Sequence, residues 1–156
     1  MPVKTEKRRE ILRRIRIALG SNDGENILSG HMGEAKEFYV YDLLENGEVR
    51  FLEKRANISP EEKGKHGVSK KRMAVMEILN DTEVFVSNKM SPNFVKIACN
   101  TKCQPIVVKI DSIAGIMNAI VKSFDKIYEF VEQRKQGNYS REIPKIDAAN
   151  NTTEIK

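Results

Sequence analysis

Two runs rich in aromatic and β-branched residues, Glu37-Phe38-Tyr39-Val40-Tyr41-Asp42-Leu43 and Val49-Arg50-Phe51-Leu52-Glu53-Lys54, are separated by little more than Asn46-Gly47. Tight hairpin turns need positive φ at their central residues, which Asn and Gly tolerate and most residues do not. The segment therefore predicts an antiparallel pair, strands two and three of a sheet. Whatever else the chain builds must pack against that pair or extend it.

The flanking sequence supplies both partners. Upstream, Arg14-Ile15-Arg16-Ile17-Ala18-Leu19 alternates polar and apolar before the turn-rich Gly20-Ser21-Asn22-Asp23-Gly24, the pattern of a first strand running into a loop. Downstream, Asn57 to Gly67 reads as a loop, and Arg72, Met73, Val75, Met76 and Leu79 then share a helical face within Ser69–Leu79. Thr82–Val86 is a short β-rich run, read as a buried fourth strand. Ser91-Pro92 begins a helix, since serine caps free N–H groups and proline suits the first helical position. Phe94, Val95, Ala98 and Cys99 fall on one face of it. Pro105–Ile110 gives a fifth strand. From a cap at Asp111 or Ser112, apolar residues recur every three or four positions through Val131, which predicts one long helix.

The order β, β-β, α, β, α, β, α implies a mixed five-stranded α/β sheet with right-handed parallel crossovers and helices on both faces. A chain of 156 residues suits one such domain. The expected organisation is a basic lead-in over 1–13, a domain over 14–136 and a disordered tail over 137–156, where apolar periodicity ends. No apolar run is long enough to span a bilayer, and the start lacks the apolar core of a secretory signal. A cytoplasmic location without membrane attachment is expected. Two cysteines, Cys99 and Cys103, are too few for a disulfide framework and are expected to be thiols.

In sheets of this kind ligands bind beyond the carboxyl ends of the parallel strands. Both histidines stand in glycine-containing segments: His31 in Ser29-Gly30-His31-Met32-Gly33, beyond strand one, and His66 in Gly64-Lys65-His66-Gly67. An imidazole on an open loop can fill one vacant coordination position of an assembled cluster, but cannot alone hold a bare ion. A loop histidine that merely bonds backbone is the competing reading. Met32 offers a soft thioether or a packing residue. Cys99 and Cys103 are either thiolate ligands or buried, inert thiols; a radical-type cluster motif would need a third cysteine where Ile106 stands. The sequence has no phosphate-binding glycine loop and no recognisable catalytic constellation. The formal charge of +5 and pI near 9.2 favour an anionic partner.

The first strand, the loop Ser29-x-His31-Met32-Gly33, then Ala35, Phe38 and the hairpin together resemble the dinitrogenase iron–molybdenum cofactor biosynthesis family, which includes NifX, NafY and the C-terminal domain of NifB. The resemblance runs from about Arg14 to Val131, through His66-Gly67 and the passage from Cys103 to Ile113. It implies a three-layer, ribonuclease H-like fold without nuclease function. It also implies transient, noncatalytic binding or carriage of an iron–sulfur or iron–molybdenum cluster between metallocluster assembly and acceptor proteins. His31 then becomes the expected cluster ligand, with Met32, Gly33, His66 and Lys89 around the cofactor and Cys99 and Cys103 as further metal-ligand candidates. Lys65, Lys89 and Arg72 are candidates for charge around the anionic cargo. The sequence departs from the family where Met32 replaces an aromatic residue and where Ser87-Asn88-Lys89-Met90-Ser91-Pro92 lacks glycines. The alternative expectation is a basic nucleic-acid-binding module, which the low aromatic content of 6% and the lack of tryptophan weaken.

Overall fold

A computed structural model describes residues 11–60, 64–147 and 152–155. The strands are β1 (Arg14–Ser21), β2 (Glu37–Leu44), β3 (Val49–Ala56), β4 (Val84–Ser87), β5 (Gln104–Lys109), β6 (Ile143–Asp147) and β7 (Thr152–Ile155). The α-helices are α1 (Gly64–Ile78), α2 (Pro92–Asn100), α3 (Ile113–Lys122) and α4 (Phe124–Lys135). Six strands, β1 to β6, form a mixed sheet that β7 extends at one edge, in the order β3-β2-β1-β4-β5-β6-β7. The hairpin is antiparallel, as Asn46-Gly47 predicts, with Gly47 at φ +95°. Strands β1, β4, β5 and β6 are mutually parallel. The sheet thus has more than the five strands expected.

Alternation in β1 sends side chains into two cores. Ile15, Ile17 and Leu19 join Val84, Val86, Ile106 and Val108 under α3 and α4. On the other face Ala18, Phe38, Val40, Phe85 and Val107 pack with Val75 and Leu79 of α1 and Phe94 and Ile97 of α2. The central strands are accordingly apolar on both sides, as parallel strands covered by two helical layers must be.

Three expectations need correction. The predicted single helix to Val131 is two, because Ser123 leaves helical geometry (φ −111°, ψ 22°) between α3 and α4. The break lets Ile116 and Ile120 of one helix and Phe124, Ile127 and Val131 of the next meet the same core. The segment expected as a disordered tail from 137 supplies β6, whose Ile143 and Ile146 are buried, one in each core. The Gly64–Gly67 stretch is the first turn of α1 rather than a loop. Residues 1–10 of the expected basic lead-in lie outside the described residues. Arg13 is described, with its guanidinium bonded to Glu45 and Asp125 and lying over the Phe124 and Tyr128 rings.

Candidate functional site

The loop after β1 is folded before it reaches His31. Ser21 Oγ accepts the Gly24 N–H at 2.9 Å and donates to the Asn26 carbonyl at 2.7 Å. Asp23 Oδ1 accepts the N–H groups of Asn26 and Glu25, and these bonds hold its carboxyl below the usual carboxylate range. The chain then turns back across β1. A Cβ on Gly20 would meet Ala35 Cβ at 2.6 Å and the Met32 carbonyl at 3.0 Å, so glycine is what allows the one-turn 3-10 helix Met32–Glu34 to lie this close.

Just ahead of that turn, Gly30 adopts φ +142° and is held from both sides by the last residue of β4 and the residue after it. Its N–H donates to Asn88 Oδ1 at 3.0 Å, and its carbonyl accepts from Ser87 Oγ at 3.2 Å. Lys109 Nζ donates in turn to the Asn88 carbonyl at 3.3 Å. The carboxyl ends of β1, β4 and β5 are thereby tied together, and His31 follows the tie directly.

His31 lines a cleft together with Met32, Gly33, Lys71, Arg72 and Val75, and with Phe85, Ser91, Asn93, Phe94 and Ile97. The lining is largely apolar, with Lys71 and Arg72 of α1 as its cations, and among the described residues it includes no carboxylate. Ser91 caps α2 by accepting the Phe94 N–H, and Arg72 reaches across from α1 to Asn93 Oδ1 at 3.1 Å. The cleft's volume is about 40 Å³, room for a few waters. His31 Nδ1 is buried and has no hydrogen-bond partner, the one such side-chain atom among the described residues. Leaving a buried acceptor or donor unsatisfied costs about 1–3 kcal/mol.

The model of the dinitrogenase iron-molybdenum cofactor family matches residues 13–123, from the residue before β1 to the residue after α3. The chain belongs to that family. No curated protein and no solved structure matches it. The family places the chain with nitrogen fixation and cofactor biosynthesis, and no helix among the described residues is long and apolar enough to cross a membrane.

Within this member of the family, the expected site residues separate. Met32 is 5% exposed and packs into the α1–α2 core while forming part of the cleft floor, and Gly33 passes beneath Lys71. Lys89 is exposed and is not among the cleft-lining residues. Residue 66 falls in the first turn of α1, but the side chains of His66 and Lys65 lie outside the described residues. Cys103 is buried in the α1–α2 core, and burial pushes its thiol well above its ordinary range. Cys99 is half-buried on α2. Neither thiol lines the cleft, and among the described residues no group of three or more His, Cys, Asp or Glu is gathered as a metal site.

Sequence reasoning did not find Asn93, Ser91 or the Ser87-Asn88 clasp as parts of the site. The signal for Ser91 was present in Ser91-Pro92, read only as a helix start. The clasp joins residues 57 and 58 positions apart, which no local pattern reveals.

Proposed function

We propose that the protein is a noncatalytic carrier that binds an iron–sulfur or iron–molybdenum cluster transiently, with His31 as its protein ligand, and passes it between metallocluster assembly and acceptor proteins. The observation that supports this reading most is the unpartnered, buried Nδ1 of His31 beside a cleft at the carboxyl ends of β1 and β4. A neutral imidazole has one nitrogen free to coordinate, and a preassembled cluster with one open coordination position asks for no more. Cations without acids around the cleft suit a net-negative cargo. The strand order β3-β2-β1-β4-β5, with β2 antiparallel to its neighbours, supports a ribonuclease H-like assignment of the core sheet.

Anaerobic reconstitution with iron and sulfide, with and without molybdate, tests the proposal through visible absorbance and metal analysis. Wild-type protein is expected to retain metal near stoichiometry and His31→Ala to lose most of it. Cys99→Ala with Cys103→Ala is expected to retain it. Equal retention by wild type and His31→Ala would remove His31 as the ligand, and none by wild type would remove the carrier reading. No observation among the described residues favours the nucleic-acid alternative.

A further inference from the structure

Five described arginines are at least partly buried: Arg13, Arg16, Arg55, Arg72 and Arg134. Guanidinium stays charged in proteins, so each needs compensation. Arg13 has Glu45 and Asp125, Arg16 has Asp42 and Asp81, and Arg55 has Glu53 and Asp81. Arg134 has no carboxylate but is saturated by Gln104 Oε1 and the carbonyls of Thr101, Ala98 and Ser140. Among the described residues Arg72 differs from the other four: its described partner is one neutral amide oxygen, Asn93 Oδ1. It is also the one of the five that lines the His31 cleft.

The other cation there, Lys71, is not equivalent, because its ammonium donates to Ser59 Oγ at 3.0 Å and the Pro60 carbonyl at 3.2 Å. Four of the five N–H donors of Arg72 have no described acceptor. Asn93 uses its carbonyl oxygen on Arg72 and so keeps its amide N–H groups as donors. Around both stand Val75, Phe85, Phe94 and Ile97, apolar walls that reduce the screening of a charge placed between them.

We infer that Arg72 and Asn93 form an oxyanion-binding subsite beside His31, which recognises a carboxylate or tetrahedral oxyanion carried by the cargo. The inference rests on the carrier reading for its biological meaning, though the subsite itself is a property of the cleft. His31 would answer the metal, and the Arg72–Asn93 pair the charge and shape of a group attached to it. Selection would follow: a cluster bearing such a group is held at two points, a bare cluster at one.

The test uses the ¹⁵N-labelled full chain, titrated separately with sodium phosphate and sodium acetate at constant ionic strength, with the arginine Nε–H signals followed by NMR. A saturable shift at Arg72, absent from the exposed Arg50 and Arg141, is expected with at least one anion, and the stronger of the two identifies the tetrahedral or planar preference. Arg72→Ala is expected to weaken that binding about tenfold or more, as loss of a charge-assisted pair does. Arg72→Lys keeps the charge without the fork and is expected to fall between. His31→Ala should leave the anion shift in place. Shifts of equal size at all three arginines, or none at Arg72 with either anion, would overturn the subsite even if His31-dependent metal retention is found. An Arg72 shift without metal retention would instead uphold the subsite and sink the carrier reading.

Discussion

At the scale of single residues, two positions hold more of the structure than their size suggests. Arg134 has no solvent exposure, and its four hydrogen bonds tie α4 to the end of α2, to Gln104 at the start of β5 and to the approach to β6. Replacing it by Met fills similar volume but strands several buried oxygens, so Arg134→Met is expected to lose about 3 kcal/mol or more in urea unfolding. Gly20 has the opposite character, being needed for what it lacks. Gly20→Ala drives a methyl into Ala35 and the Met32 carbonyl, with an expected loss of about 1–3 kcal/mol. Because the displaced backbone carries His31, metal retention should fall with it, whereas Arg134→Met should spare retention in protein that remains folded.

At the scale of elements, Ser91→Ala removes the α2 cap bonded to Phe94 N–H and is expected to reduce the thermal midpoint in step with a loss of about 1 kcal/mol. The same serine shows what the sequence made legible. Short-range signals came through: the Asn46-Gly47 turn, the β1 alternation, the Ser91-Pro92 helix start and the apolar spacing of α3 and α4. What they could not convey was direction after a break. Ser123 interrupts a continuous apolar stripe without glycine or proline, because the constraint is the core shared by Ile120 and Phe124. Strand β6 hid for a related reason, since Pro144 argues locally against a strand and Ile143 and Ile146 enter different cores. At the site, His31 was legible as a glycine-flanked loop residue of a recognisable family. The clasp of Gly30 by Ser87 and Asn88, and the Arg72–Asn93 pair in the same cleft, depend on contacts between distant elements.

For the whole molecule, the family match ends at residue 123, yet the two cores do not. Phe124, Ile127, Val131 and Ile146 belong to one core and Ile143 to the other. A chain ending at 123 is expected to lose cooperative thermal unfolding by circular dichroism, because it removes α4 from one face of the sheet and β6 from the edge of β5. Charge ties the end of β3 and the start of β1 to the turn before β4, through Arg55 and Arg16 on Asp81. Hydrogen bonds from Arg55 hold the Asp81 carboxyl at about 2 against an ordinary 3.8. A carboxyl depressed by folding adds stability that is complete above the unfolded value and disappears as pH falls through the folded one. Wild type should therefore lose stability between about pH 4 and pH 2 more steeply than Asp81→Asn, measured as thermal midpoint against pH. The outer strand β3 has a consequence of another kind. Its ladder with β2 steps from Val40–Glu53 to Tyr41–Phe51, leaving Leu52 unpaired at a bulge. An edge with Val49, Phe51 and Leu52 all exposed would otherwise be a template for fibrous stacking. The inserted residue breaks the edge into two short runs out of phase with each other, so a neighbouring copy finds no continuous row of N–H and C=O groups to zip against, and the protein can stay dispersed while its apolar strand remains in water.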